Sequence, residues 1–203
     1  MSTEALERLL QKAASRRREG SAEPCALCAA RLDDEHPHLL DLDAGHPLCV
    51  CRACSLLFDR PVAAGGRYRL IGDRRLPVVG VAPAALGAPV GLAFFVVSDH
   101  GELTAHYPSP AGATRWEVDA ARWEETVSAC SALAGLEPEV EALLVNSVAG
   151  RSEAWIVPIS DCFRLTGIVR EHWRGLSGGE AVWPRIEDFF DQLRSDNGQD
   201  SHR

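Results

Sequence analysis

Residues 24–58 read PCALCAARLDDEHPHLLDLDAGHPLCVCRACSLLF, and this stretch decides how the chain is organised. Each of its ends carries a pair of cysteines with two residues between them, and 22 residues separate the pairs. Structural zinc is tetrahedral and takes four soft ligands, which two such pairs supply as thiolates. The spacing therefore predicts a structural zinc site with the ligands Cys25, Cys28, Cys51 and Cys54.

The elements predicted around these cysteines follow the order of a treble clef. The first pair forms a tight turn, and residues 37–42 and 46–50 are predicted as two short strands joined by a turn at Gly45. A helix that begins at Cys54 carries the second pair, and its N-terminus suits thiolates because the helix dipole stabilises negative charge there. We expect a small module in which the metal takes the place of a large core.

Three alternatives to this site stay open in the sequence. Cys49 could replace Cys51 as a ligand, although only Cys51 gives the two-residue spacing. A rubredoxin-like iron site or an iron–sulfur cluster would use the same four cysteines. Disulfides or buried thiols are a further alternative, which a reducing compartment would disfavour.

The histidines between the pairs raise the possibility of a metal-dependent nuclease of the HNH type. His36 and His38 precede an apolar pair of leucines, as the first strand of that motif requires. However, Ser55 follows Cys54 where the motif has a histidine, and residues 24–58 contain no asparagine. We therefore interpret His36, His38 and His46 as polar loop residues or as hydrogen-bond donors to the thiolates.

Composition limits the classes of partner and compartment. A net charge of −8 argues against nucleic acid, whose phosphates attract clustered positive charge. No apolar run reaches the roughly 18 residues of a membrane span, and the N-terminus lacks the apolar core of a signal peptide. We expect a cytoplasmic protein, in which paired cysteines hold metal more often than they form disulfides.

The whole chain is predicted to be α+β, with a small, treble-clef-like zinc-binding module of four cysteines followed by an antiparallel sheet with packed helices. The predicted divisions are an N-terminal helix (1–20), the metal module (21–62), the α+β domain (63–194) and a disordered tail (195–203). The boundary near residue 62 follows from a stretch rich in Pro, Ala and Gly.

Within the α+β domain, alternating and apolar runs predict two hairpins. Residues 90–98 and 102–107 form the first, and residues 139–148 and 153–159 form the second. The loop at 108–112 should end the first hairpin, since proline has no N–H to donate. Three helices are expected: residues 119–134, a helix capped by Ser160, and a last helix from about Pro184. No set of side chains in this domain forms a recognisable catalytic group.

A series of motifs in order along residues 24–190 resembles a family of uncharacterised actinobacterial proteins encoded beside nickel–iron hydrogenase genes. The matching pieces are Cys25-Ala-Leu-Cys28, His36-Pro-His-Leu-Leu-Asp41, Cys49-Val-Cys-Arg-Ala-Cys-Ser-Leu-Leu-Phe-Asp59, Tyr107-Pro-Ser-Pro-Ala-Gly112, Glu137-Pro-Glu-Val-Glu-Ala-Leu-Leu-Val-Asn146 and Trp173-Arg-Gly-Leu-Ser-Gly-Gly179. One departure is Ala29, which stands where such cysteine turns usually have glycine.

The resemblance implies a biological setting for the protein but no catalytic mechanism. It implies a cytoplasmic accessory protein that supports assembly or maturation of a nickel–iron hydrogenase, with a hydrogenase subunit or a maturation factor as its protein partner. Together with the zinc site, it gives the expectation of a non-enzymatic interaction protein. The alternative is an iron-binding protein for electron transfer or iron delivery, and an HNH-like nuclease is a weaker one.

Overall fold

The computed structural model describes residues 24–58, 63–81, 86–87, 91–175 and 178–200. The chain divides into two compact units, with the division between Leu70 and Ile71. The architecture is α+β with antiparallel sheets, as the sequence predicts. The predicted N-terminal helix at 1–20 lies outside the described residues.

The first unit contains the cysteine-rich stretch and a small sheet. Strands β1 (His38–Asp41) and β2 (His46–Cys49) form an antiparallel hairpin. Helix α1 (Arg52–Ser55) follows, and a 3₁₀ turn (Leu56–Phe58) continues it. Each strand of the hairpin is slightly shorter than predicted, and the helix begins earlier than expected, because Cys51 rather than a later residue occupies its N-cap.

A third strand, β3 (Tyr68–Ile71), completes this sheet in the order β2–β1–β3. Leu42 donates a backbone hydrogen bond to Arg67, and the Arg67 guanidinium binds the buried Asp41 carboxylate at 2.8 Å. This hydrogen bond with Arg67 lowers the pKa of Asp41 below its ordinary value. The sequence placed β3 in the second domain, whereas its pairing belongs to the first sheet.

The second unit is built on a six-stranded antiparallel sheet in the order β4–β9–β8–β5–β6–β7. Its strands are β4 (Leu76–Pro77), β5 (Leu92–Val97), β6 (Leu103–Ser109), β7 (Gly112–Trp116), β8 (Glu141–Asn146) and β9 (Glu153–Pro158). Both predicted hairpins are present, as β5–β6 and β8–β9. The central strand β8 is buried along its whole length, which explains its continuous apolar run.

Helices cover both faces of this sheet. On one face Phe95 packs in the core and stacks on Trp123 of helix α2 (Ala120–Ala129), with ring centroids 5.8 Å apart. On the other face lies α3 (Ile159–His172), which packs over β6 to β9. Helix α4 (Gly179–Asp200) then packs on α3. The sheet is thus the middle layer of a three-layer unit.

Three expectations for this unit were wrong in detail. β6 continues through Pro108 into a hairpin with β7, since the ladder between β5 and β6 ends at His106 and proline is tolerated where one side is unpaired. Pro158, not Ser160, occupies the N-cap of α3. The expected disordered tail is helical as far as Asp200, and the Ser195 hydroxyl bonds the carbonyl of Asp191 within that helix.

Candidate metal centre

The structure brings the four predicted ligands together. The Sγ atoms of Cys25, Cys28, Cys51 and Cys54 all lie within 4.8 Å of one another. Cys51 is the N-cap of α1, and Cys54 lies one turn further along, so this short helix aims both sulfurs from its N-terminal end. The alternative ligand Cys49 is not in this group.

Backbone hydrogen bonds fix the turn that carries the first pair. Cys25 donates to the carbonyl of Ala30, and its own carbonyl accepts from Ala29, both at 2.8 Å. Ala26 donates to the carbonyl of Cys49, which ties the turn to the end of β2. Ala29 has a φ of 58°, in the left-handed region that favours glycine. The alanine noted in the sequence is therefore a strained position in this turn.

The donor set and its spacing fit zinc. At a Zn–S length of about 2.3 Å, tetrahedral geometry separates two sulfurs by roughly 3.8 Å. The Sγ atoms of Cys28 and Cys51 lie 3.7 Å apart. This distance is far longer than a disulfide bond of about 2.05 Å. All seven cysteines lie within the described residues, and all are free of disulfide bonds.

The surroundings of Cys25 and Cys54 move the pKa values of these two thiols in opposite directions. Burial by itself would raise the pKa of Cys25, but hydrogen bonds from the backbone of Cys51, Cys28 and Leu27 lower the pKa to about 6. Interactions with the side chains of Cys28 and Cys51, and then burial, raise the pKa of Cys54 to about 12. Metal binding requires thiolates and would therefore release a proton from a thiol such as Cys54, whose pKa is raised.

The positions near these ligands do not have the arrangement of an HNH-type nuclease motif. Ser55 is buried, and its hydroxyl donates to the carbonyl of Arg52 inside the helix. It occupies the position at which the nuclease motif has a histidine. The structure instead groups His36 and His38 with Cys49, and their potential ligand atoms also lie within 4.8 Å of one another.

This second group was missed at the level of sequence. The sequence predicts the histidines as polar loop residues or donors to the thiolates, and Cys49 only as a substitute for Cys51. The sequence contains one indication of this group: His36 and His38 are two positions apart, a spacing that places side chains on the same face of extended chain. The position of Cys49 directly across the hairpin became evident only from the register of the strands.

The remaining cysteines are apolar packing groups. Cys130 belongs to the core beside α2, and Cys162 is fully buried in α3. Burial raises the pKa of the Cys162 thiol well above its ordinary value, so the thiol stays protonated and unreactive.

A family model matches residues 24–197, which is most of the chain and includes both groups of potential ligands. The chain belongs to DUF5947, a family of unknown function. Membership of DUF5947 gives no activity to transfer. No curated protein and no solved structure gives a significant match to this DUF5947 chain. Among the residues that the structure describes, no helix combines the length and the apolar character needed to cross a bilayer.

Proposed function

We propose that this chain is a non-catalytic accessory protein in which zinc on Cys25, Cys28, Cys51 and Cys54 holds the first unit in shape. The supporting observation is the convergence of four thiols at a spacing that suits tetrahedral zinc. Four protein thiolates complete the coordination of zinc and leave no position for a substrate. Such a site contributes folding energy rather than chemistry.

The small size of the apolar core in the first unit supports this role. Among the residues of this unit that the structure describes, the buried members of the core are Cys25, Leu32, Leu39, Val50 and Cys54, so two of the five are also proposed ligands. A core of this size provides little stability alone, and small domains commonly depend on a metal or a disulfide. The metal site is therefore part of the scaffold.

We further propose that the protein binds a partner in the assembly or maturation of a nickel–iron hydrogenase. This part of the proposal depends on the resemblance of the motif series to proteins encoded beside hydrogenase genes. Leu56 and Leu57, which follow α1, are each 68% exposed, an unusual property for two consecutive leucines. We take them as the first candidates for contact with the partner.

The test is affinity capture of the tagged full-length chain from its native host. We expect a hydrogenase subunit or maturation factor to be recovered with the wild type and to be lost with the double variant Leu56→Asp/Leu57→Asp. Val79→Asp is the matched control, since Val79 is 90% exposed and lies in the second unit. Recovery of no hydrogenase-related protein by the wild type would contradict the proposal.

An iron protein for electron transfer or iron delivery is the second candidate. It would use the same four thiolates, and Cys28 is exposed, which would bring the edge of such a centre close to solvent. The visible spectrum separates the candidates, because thiolate-bound iron is coloured and zinc is colourless. Protein purified without oxygen should be colourless and contain zinc; absorbance in the visible with iron in the elemental analysis would favour the second candidate.

A further inference from the structure

A second group of potential metal ligands lies beside the four-cysteine group and shares no residue with it. It consists of His36 in the loop before β1, His38 at the start of β1 and Cys49 at the end of β2. One imidazole nitrogen from each histidine and the Cys49 sulfur lie within 4.8 Å of one another. All three side chains are half-buried.

The hairpin brings two of these ligands together. His38 and Cys49 are directly opposite in the register of β1 and β2. Val50 donates to the carbonyl of Pro37 at 3.0 Å, so residues 37 and 50 form a hydrogen-bonded pair and the next pair is of the other type. In that type of pair the Cα atoms are about 4.5 Å apart and the side chains approach most closely. His38 and Cys49 are thus held side by side on one face.

The third ligand is oriented by its own hydrogen bond. His36 Nδ1 lies 2.9 Å from the carbonyl oxygen of Asp33, which accepts only a hydrogen bond and therefore requires Nδ1 to carry the proton. This tautomer leaves a lone pair on Nε2. His36 Nε2 is buried and has no hydrogen-bond partner in the structure. A ring nitrogen bonded to a carbonyl, with the other nitrogen available, is the usual arrangement of a metal-binding histidine.

The rings of the two histidines are also positioned to share one ligand. Their centroids are 4.9 Å apart, and their planes are inclined by 37°. A tetrahedral ion with bonds of about 2.0 Å to nitrogen and 2.3 Å to sulfur needs ligand atoms roughly 3.3 to 3.6 Å apart. Ligand atoms that already lie within 4.8 Å of one another reach these separations by small rotations about the side-chain bonds.

We propose that His36, His38 and Cys49 form a second metal site, which takes one borderline divalent ion such as Zn²⁺. Two imidazoles and one thiolate suit that class of ion. Three protein ligands leave a fourth position for water or another ligand, unlike the closed four-cysteine set. The second site therefore binds its ion more weakly and exchanges it with external ligands. This inference does not depend on a hydrogenase partner or on a scaffold role for the first site.

The test uses Co²⁺ as a probe, added to the full-length protein after the four-cysteine site has been loaded with zinc. We expect one further molar equivalent to bind, with a charge-transfer band from a single thiolate to cobalt. Cys49→Ser should abolish the band. Loss of a hydrogen-bond partner outside the ligand set weakens metal binding by roughly 10- to 100-fold, and His36→Gln, which removes a ligand, should weaken Co²⁺ binding by more than that. His46→Gln is the matched control, since His46 is an exposed histidine at the other end of β2 and should leave the titration unchanged.

Two checks make the outcome decisive. Zinc content and far-ultraviolet circular dichroism of each variant show whether the four-cysteine site and the fold are retained. A Co²⁺ titration that matches the wild type after Cys49→Ser would overturn the second site, as would zinc-loaded wild type that takes up no Co²⁺. If no preparation retains tightly bound zinc, the proposal for the four-cysteine site fails instead. The difference in the Co²⁺ charge-transfer band between the wild type and Cys49→Ser then tests the second site by itself.

Discussion

The two units of this chain differ in what holds them together. Among the described residues of the first unit, the apolar cluster around the hairpin has five buried members, and two of them are cysteines of the candidate metal centre. The second unit buries apolar residues on both faces of a six-stranded sheet, with α2 on one face and α3 on the other, and α4 packs on α3. Burial of apolar surface is enough to stabilise a unit like the second, whereas a unit like the first needs a bound metal or a disulfide. We therefore expect metal removal to unfold the first unit and to leave the second unit folded.

The largest expected effect is loss of a ligand. Cys54→Ser should abolish tight zinc binding and unfold residues 24–58, because the apparent binding energy of structural zinc is on the order of 10–16 kcal/mol. Hydrogen exchange should rise to that of an unfolded chain in this segment, while β5, β8 and β9 stay protected. Cys130→Ala, in the core of the second unit, is the control that should retain zinc. Protection of residues 24–58 in metal-free Cys54→Ser would contradict the comparison.

The reverse experiment weakens the second unit alone. Phe95 is fully buried and contacts both Trp116 and Trp123, so Phe95→Ala should lower the free energy of unfolding by about 3–5 kcal/mol. Urea unfolding followed by tryptophan fluorescence measures this change, since all five tryptophans of the chain lie in the second unit. Zinc content should not change. Val79→Ala, at an exposed position, should change stability by less than about 0.5 kcal/mol.

A smaller effect concerns acid sensitivity of the second unit. His106 stacks on Phe94 with ring centroids 5.0 Å apart, and burial, with a contribution from Arg115, lowers its pKa from 6.5 to about 4. The unfolded chain therefore binds a proton before the folded chain does, and stability falls as the pH drops from about 6.5 towards 4.

The variant His106→Phe retains an aromatic ring against Phe94 but cannot titrate. Its urea midpoint should fall less than that of the wild type between about pH 7 and pH 5, and the difference between the two proteins isolates this residue from other titrating groups. Parallel loss of stability in both proteins would show that His106 does not contribute.

The smallest expected effect is a gain in the first unit. Ala29→Gly should stabilise the cysteine turn by about 0.5–1 kcal/mol, because glycine adopts a positive φ without the steric penalty of a Cβ atom. The measurement is competition for zinc with a chelator, in which the variant should retain the metal longer. Ala53→Gly, an exposed position inside α1, is the matched control and should have the opposite sign.

Local patterns account for what the sequence predicted correctly. The spacing of the cysteine pairs indicated which four sulfurs converge. Apolar runs separated by turn residues indicated both hairpins of the second unit. Proline has no N–H to donate, and the sequence therefore predicts that the first hairpin ends at Pro108. The strand continues instead, because β6 is no longer paired with β5 at that position, and only the register shows this. The strand β7 was missed for the same reason.

Long-range pairs could not be found in this way. Asp161 and Arg164 are three residues apart in α3, a spacing at which side chains on a helix meet, and their charged groups lie 3.6 Å apart. The closer partner of Asp161 is Arg75, 86 residues earlier, which donates two hydrogen bonds to the buried carboxylate, at 2.7 and 3.2 Å. Arg74 binds the buried Glu141 in a similar way across 67 residues. Two adjacent arginines in a sequence carry no information about such distant partners.

The pairing of β3 with the first sheet determines how the metal-binding part of this chain can be excised. A fragment that ends at residue 62 would contain every proposed ligand, yet its Asp41 carboxylate would be buried without Arg67, and its sheet would have two strands instead of three. A fragment that continues through β3 keeps both. Residues 24–58 therefore do not form a unit that can be transferred alone, and any transfer to another protein must include β3.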